Sequence, residues 1–303
     1  MATASHHTSA SARRPSGFAD LAVVTAMMAL LGSMYLTGRP GSLGRLMADS
    51  LDSSFSFFVS LQFIVLVPVI FLLEHRFPAR PEQRGFSPSV IHDGLYMMIH
   101  LPAMAALTAF AASPISNFLD AHARWLVVDS TRSWPMPLMA LLGWIIADFG
   151  AFVAHYAKHK VPLFWRFHMI HHSQARLNLF TANRTHPVDA IIDKLLLLVP
   201  FFIFFPSFVA EKQSVFLIAL IFGWYVRFEH SNIRTNMGPL RYVLVSPQSH
   251  RVHHSTEPEH WNSNFATFFA WDRLFGLQHA DVTSYPTTGI NDPVFPEPQR
   301  RSA

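Results

Sequence analysis

No cysteine occurs anywhere in the 303 residues, which excludes disulfides, iron–sulfur clusters and thiolate chemistry together and leaves the redox compartment open. Charge is also scarce. Asp, Glu, Lys and Arg make up 14% of the chain, against about a quarter in soluble domains. The formal net charge of +4 is scattered among segments that flank apolar runs, without the basic face a nucleic-acid binder shows. A secretory signal is weakly supported as well. Arg13 and Arg14 precede an apolar stretch, but Leu36 is followed by Thr-Gly-Arg-Pro instead of a small-residue cleavage site.

Apolar residues fill the space that charge leaves. Half of the chain is hydrophobic, with 28 Phe and 12 Met. Leu21–Leu36, Phe55–Leu73, Ile91–Ala112 and Met136–Ala154 each approach or reach the roughly 20 apolar residues that a membrane-crossing helix needs. The fold class expected is all-α, a polytopic membrane helical bundle. Residues 1–19 read as a disordered tail, 20–113 as transmembrane anchor helices, 114–280 as a histidine-rich domain and 281–303 as an extended C-terminal tail. Pro114, Pro135 and Pro137 are expected to break any helix between the third and fourth runs.

Two further apolar stretches, Leu195–Ala210 and Ser214–Phe228, are short for perpendicular crossings and are joined by Glu211-Lys212-Gln213. They read as a helical hairpin that enters the bilayer and returns. Its feet carry His186 and His230, so both belong on one face. Basic residues mark the same face: Arg76, Arg80 and Arg84 after the second run, and Lys158, Lys160, Arg166, Arg176, Arg184 and Lys194 after the fourth. The loops intervening between these runs hold only Arg39, Arg45, Arg124 and Arg132. The positive-inside rule places the richer face in the cytoplasm.

Histidine is the unusual residue. Of 18, ten form a spaced set: His155 and His159 in HYAKH, His168, His171 and His172 in HMIHH, His186 in THPVD, His230 in FEHSN, and His250, His253 and His254 in HRVHH. On a helix, positions i, i+3 and i+4 share a face, so each H-x-x-H-H is expected to converge on a common point. One ion takes four to six ligands, and imidazole suits zinc, iron, copper and nickel. Eight to ten imidazoles therefore suit two ions. Single histidines elsewhere, including His6, His75, His100, His122 and His260, read as surface or hydrogen-bonded residues.

A metal-bound imidazole usually gives its other N–H to a carboxylate, amide or carbonyl. Asp148, Asp189, Glu229, Asn232, Asn264 and Asp272 are placed by the sequence to serve. Asp148 leads, because a carboxylate in so apolar a run needs a partner.

The order H-x-x-x-H, H-x-x-H-H, His-Pro, His-Ser-Asn, H-x-x-H-H resembles the fatty acid hydroxylase superfamily, also called the sterol desaturase family. The ending WDRLFG after the last cluster and LLEHRFPAR at Leu72–Arg80 add to the likeness. The chain departs from it at Asn262-Ser263-Asn264-Phe265-Ala266, where relatives often have Asp-x-Asn-(Tyr/Phe)-Gly. The resemblance implies an integral-membrane oxidoreductase with two iron ions, zinc as an alternative occupant, and dioxygen as co-substrate. All ten histidines match the family's ligand positions.

The expected activity is hydroxylation or desaturation of a C–H bond in a lipid or other hydrophobic substrate, with sterol or carotenoid desaturation and ether-lipid oxygenation as neighbouring outcomes. Electrons would come from a separate ferredoxin or cytochrome b5-like donor, since no flavin or nicotinamide fingerprint is present. The expected location is the bacterial cytoplasmic membrane, or the endoplasmic reticulum in a eukaryote. A metal transporter would want ionisable residues along several spans, whereas here mid-span charge is nearly confined to Asp148. A zinc hydrolase would want three protein ligands and an open position, which ten histidines fit poorly.

Overall fold

The computed structural model describes residues 43–83, 87–204, 212–277 and 284–290. The expected tail and the run Leu21–Leu36 lie outside the described residues. Within them the regular structure is helical: α1 Leu43–Phe58, α2 Leu61–Arg76, α3 Pro88–His122, α4 Met136–Lys160, α5 Pro162–His172, α6 Pro187–Phe204, α7 Lys212–Glu229, α8 Pro247–His253 and α9 Phe269–Leu274. Extended pairing among these residues is confined to isolated bridges, Pro78 with Ile233, Leu244 with Phe268 and Ser255 with Thr288.

Two helical stretches, Pro88–Thr108 and Pro137–Lys160, are long and apolar enough to cross a membrane. A third counts if Asp52–Phe58 and Leu61–Arg76 form one bent span. The run Phe55–Leu73 is thus broken. The Ser60 hydroxyl accepts the Phe63 N–H at 3.3 Å and starts a fresh helix, because a serine cap satisfies a donor that a helix start leaves free. The axis turns by 51° there. Many large apolar side chains on α2 to α4, among them Ile64, Leu72, Phe110 and Leu141, face outward, as lipid contact requires.

Pro114 does not end its helix. All 35 residues of α3 are helical, with Pro102 and Pro114 inside. A proline removes one backbone donor, and in an apolar setting the remaining ladder outweighs that loss because no water would satisfy the freed groups. The two stretches expected to form the hairpin lie in α6 and α7, with residues 205–211 outside the described set. α6 begins at Pro187, where a missing N–H costs nothing, and so takes in Asp189, Asp193 and Lys194.

α4 is the hub, packing against α5, α6 and α7, while α3 packs on α1 and α6. At its end Val161 precedes Pro162 and is held extended (φ −98°, ψ 113°), as a residue before proline must be. The chain therefore turns sharply into α5. His155 and His159 on the last turns of α4 then face the histidines of α5, while His230 follows α7 directly. All meet at one end of the bundle.

Candidate metal centre

Eight histidines meet in two groups of four: His155, His159, His172 and His253, and His171, His230, His250 and His254. Within each group the ligand-capable nitrogens all lie within 4.8 Å of one another. The H-x-x-H-H motifs do not each close on one point, as the spacing alone suggested. Each is divided between the groups. Successive helical residues point about 100° apart, which sends neighbours to different groups; the rings of His171 and His172 stand at 87°, and those of His253 and His254 at 86°. Two motifs, each feeding two sites, tie both sites to the same pair of helices.

Ring nitrogens face one another without an obvious reason of their own. The Nε2 atoms of His230 and His171 are 3.1 Å apart, those of His250 and His230 2.9 Å, and those of His253 and His155 3.1 Å. Nitrogens bound cis to one ion at about 2.1 Å lie about 3.0 Å apart. Other buried ring atoms, including both nitrogens of His172 and of His254 and Nε2 of His159, have no hydrogen-bond partner among the described residues. Orphaned polar atoms in such number would be costly. A shared metal at each group satisfies both observations, so the residues fit the pair of ions.

Protonation follows the same logic. Burial, then neighbouring imidazoles, holds His171, His172, His250, His253 and His254 well below the ordinary imidazole range. Burial brings His230 down to about 4. The rings are kept neutral, and neutral imidazole is the form that binds metal.

The remaining expected residues take varied places. His168 is buried beside the first group, its ring 4.7 Å from that of His155. Its Nδ1 meets Asp189 Oδ2 at 3.1 Å, and its Nε2 is unpartnered among the described residues. His186 joins neither group; its Nδ1 accepts the Val188 N–H at 3.1 Å and starts α6. Of the six expected supporting residues, Asp189 is the one hydrogen-bonded to an imidazole among the described residues. Backbone carbonyls serve instead for two of the eight rings: Phe265 O lies 3.0 Å from His155 Nδ1, and Val226 O 2.6 Å from His230 Nδ1.

Asp148 acts one step back. It is fully buried and accepts the N–H groups of Thr267, Phe268 and the Trp271 indole, each at 2.9 Å. It thereby fixes the loop that presents Phe265. That ring also covers the first group, with centroids 5.3 Å from His155 and 5.2 Å from His159. Asn264, at φ 62°, donates its N–H to Asp272 Oδ1 at 2.7 Å. Burial pushes the Asp272 carboxyl up to about 7. Asn232 ties in Arg80 and accepts from Arg251 at 2.9 Å. Glu229 is buried with Oε2 unpartnered among the described residues.

Five buried charges among the described residues were not anticipated: Glu74, Asp93, Lys158, Arg227 and Arg251. Asp93 on α3 accepts from Gln174, Asn178, Thr181 and Arg184, pinning the segment after α5. Glu74 accepts the N–H groups of Leu179 and Asn232. Lys158, expected as a flanking surface charge, is buried between Asp189 (2.7 Å) and Asp193 (2.6 Å). Their signal was available: carboxylates in apolar helices, the criterion that singled out Asp148, apply equally to Glu74 and Asp93.

Fold and site together define an integral-membrane, all-helical protein with paired histidine groups at one end of its bundle. Residues 140–277 match the model of the fatty acid hydroxylase family. It is 32% identical over 148 residues to the ornithine lipid hydroxylase OlsE of Rhizobium tropici, covering 48% of this chain and 43% of that protein. To the alkylglycerol monooxygenase of Xenopus tropicalis it is 34% identical over 196 residues, 62% of this chain and 41% of that one. The human alkylglycerol monooxygenase is 29% identical over 235 residues, 77% and 48% respectively. The chain thus spans less than half the length of these curated relatives. No solved structure matches it.

Proposed function

We propose that the protein is a membrane oxygenase that inserts one oxygen atom from dioxygen into a C–H bond of a lipid chain. The balance is RH + O2 + 2 e⁻ + 2 H⁺ → ROH + H2O. The observation that carries it is the pair of tetra-histidine groups, one buried and one largely so, sharing both H-x-x-H-H helices. His155, His159, His172 and His253 would hold one ion and His171, His230, His250 and His254 the other, with His168 beside the first. Iron is the proposed metal, because zinc has no redox chemistry. A bound iron pair supplies the oxidising power that an unactivated C–H bond demands, and that acid, base and nucleophilic side chains cannot provide.

The chain's own residues hold and shield. Burial keeps the imidazoles neutral, Phe265 covers the first group, and the stacked rings of Trp165 and Trp261, 5.0 Å apart, wall its other side against His159 and His172. Water is thereby kept from the oxidising centre. The substrate reading leans on the relatives' names, an ornithine lipid hydroxylase and an alkylglycerol monooxygenase. A lipid with a polar head and a saturated chain, entering from the apolar side of the bundle, fits both.

Electrons would come from a separate ferredoxin or cytochrome b5-like donor. The basic residues around the histidine end favour its facing the cytoplasm, in a bacterial cytoplasmic membrane. Lipid mass spectrometry of cells with and without the gene, grown under labelled dioxygen, tests this reading. A lipid gaining one labelled oxygen is expected; a loss of two hydrogens would redirect it to desaturation. Lipids unchanged, or changed equally without oxygen, would overturn it.

A further inference from the structure

The two helices that carry both H-x-x-H-H motifs are short: 11 residues for α5 and 7 for α8. Helices below about 12 residues are marginal by themselves, so contacts from elsewhere must hold them in register. Part of that hold lies beyond the matched family region, which ends at 277. Residues 284–290 run across the ends of both helices. The Thr288 hydroxyl donates to Ala175 O at 3.0 Å, three residues past His172. The Gly289 N–H donates to the carbonyl of His254 itself at 3.1 Å.

Neighbouring contacts repeat the pattern. Thr256 N–H donates to Thr287 O at 3.1 Å, Gln248 Nε2 to Ser284 O at 3.2 Å, and Arg80 Nη1 to Tyr285 O at 3.3 Å. Thr288 and Ile290 are buried, so the segment is part of the packed body. Gly289 has φ +120°, and a Cβ placed there would meet the Ala175 Cα at 3.7 Å. Only glycine adopts that backbone at low cost.

We propose that residues 284–290 are a clasp that joins the two histidine helices and is required for both groups to retain metal. The region 140–277 is then incomplete as a metal-holding unit. This rests on the reading of the histidine groups as metal sites, and the experiment separates the two. The full-length chain, a chain lacking 284–303, a chain lacking only 291–303, and a Thr288→Val/Gly289→Ala chain are purified in nanodiscs. Each is loaded with iron and challenged with a chelator, with helix content followed by circular dichroism.

Loss of metal about 10- to 100-fold faster, the range seen when groups supporting ligands are removed, is expected for the 284–303 deletion and the double variant. The chain lacking 291–303 should match wild type. Should the longer deletion fail to fold, the double variant decides. A wild-type chain that takes up no metal overturns the sites and the clasp together. Metal held equally by wild type and the double variant overturns the clasp alone, as does equal loss on deleting only 291–303.

Discussion

Replacing Asp148 by asparagine separates fold from site in one measurement. Its Oδ1 accepts the Thr267 N–H, and its Oδ2 accepts both the Phe268 N–H and the Trp271 indole. An asparagine keeps one acceptor and adds a donor. The better orientation leaves its oxygen at the doubly used position, so the Thr267 N–H then faces an N–H. One buried donor left unsatisfied costs about 1–3 kcal/mol. Asp148→Ala strands all three donors and should lose more than about 3 kcal/mol. The loop so loosened carries the Phe265 carbonyl that orients His155 at 3.0 Å, and among the described residues no ring of the second group is hydrogen-bonded to that loop. Metal affinity should therefore fall about tenfold or more at the first group and stay unchanged at the second. Thermal denaturation in nanodiscs reports the stability loss. Metal analysis after mild chelation should show one ion retained where wild type retains two. An Asn variant with wild-type stability, or one losing both ions equally, would refute the reasoning.

The division of the motifs makes a sharper demand on point variants. His172→Ala and His254→Ala, both fully buried and on different groups, should each lose one ion while keeping the other, with product formation abolished in both; loss of two ions from either would argue against separate sites. Asp272 gives a pH signature. Its carboxyl, pushed up to about 7, keeps a proton in the folded chain that the unfolded chain has released above its ordinary range. Stability attributable to it thus falls as pH rises from about 4 to 7, by up to about 1.4 kcal/mol per unit, and levels off above 7. Asp272→Asn should remove that slope in denaturation measured across this range; an unchanged slope would show that the carboxyl titrates normally.

Periodicity and hydropathy were enough to expect an all-helical membrane protein, because apolar runs and histidine spacing are local features. The meeting of His155, His159, His172 and His253 involves three separate helices; their spacing pointed to clustered imidazoles but not to this grouping. What spacing could not carry was the direction of adjacent side chains, which sends His171 and His172 to different groups. Nor could it foresee that Ser60 would cap a new helix inside an apolar run, or that α3 would run on through Pro114, since both depend on which backbone groups find partners. Lys158 looked like a surface charge until α6, starting early at Pro187, brought Asp189 and Asp193 to it. The segment 284–290 has no periodicity at all; its role lies in contacts with Ala175 and His254, far away in the chain.

Metal analysis of the purified full-length chain tests the central claim most directly. Chain expressed in iron-replete medium should hold two ions, with X-ray absorption showing nitrogen-rich coordination and no sulfur. A single ion per chain, or none, would contradict it.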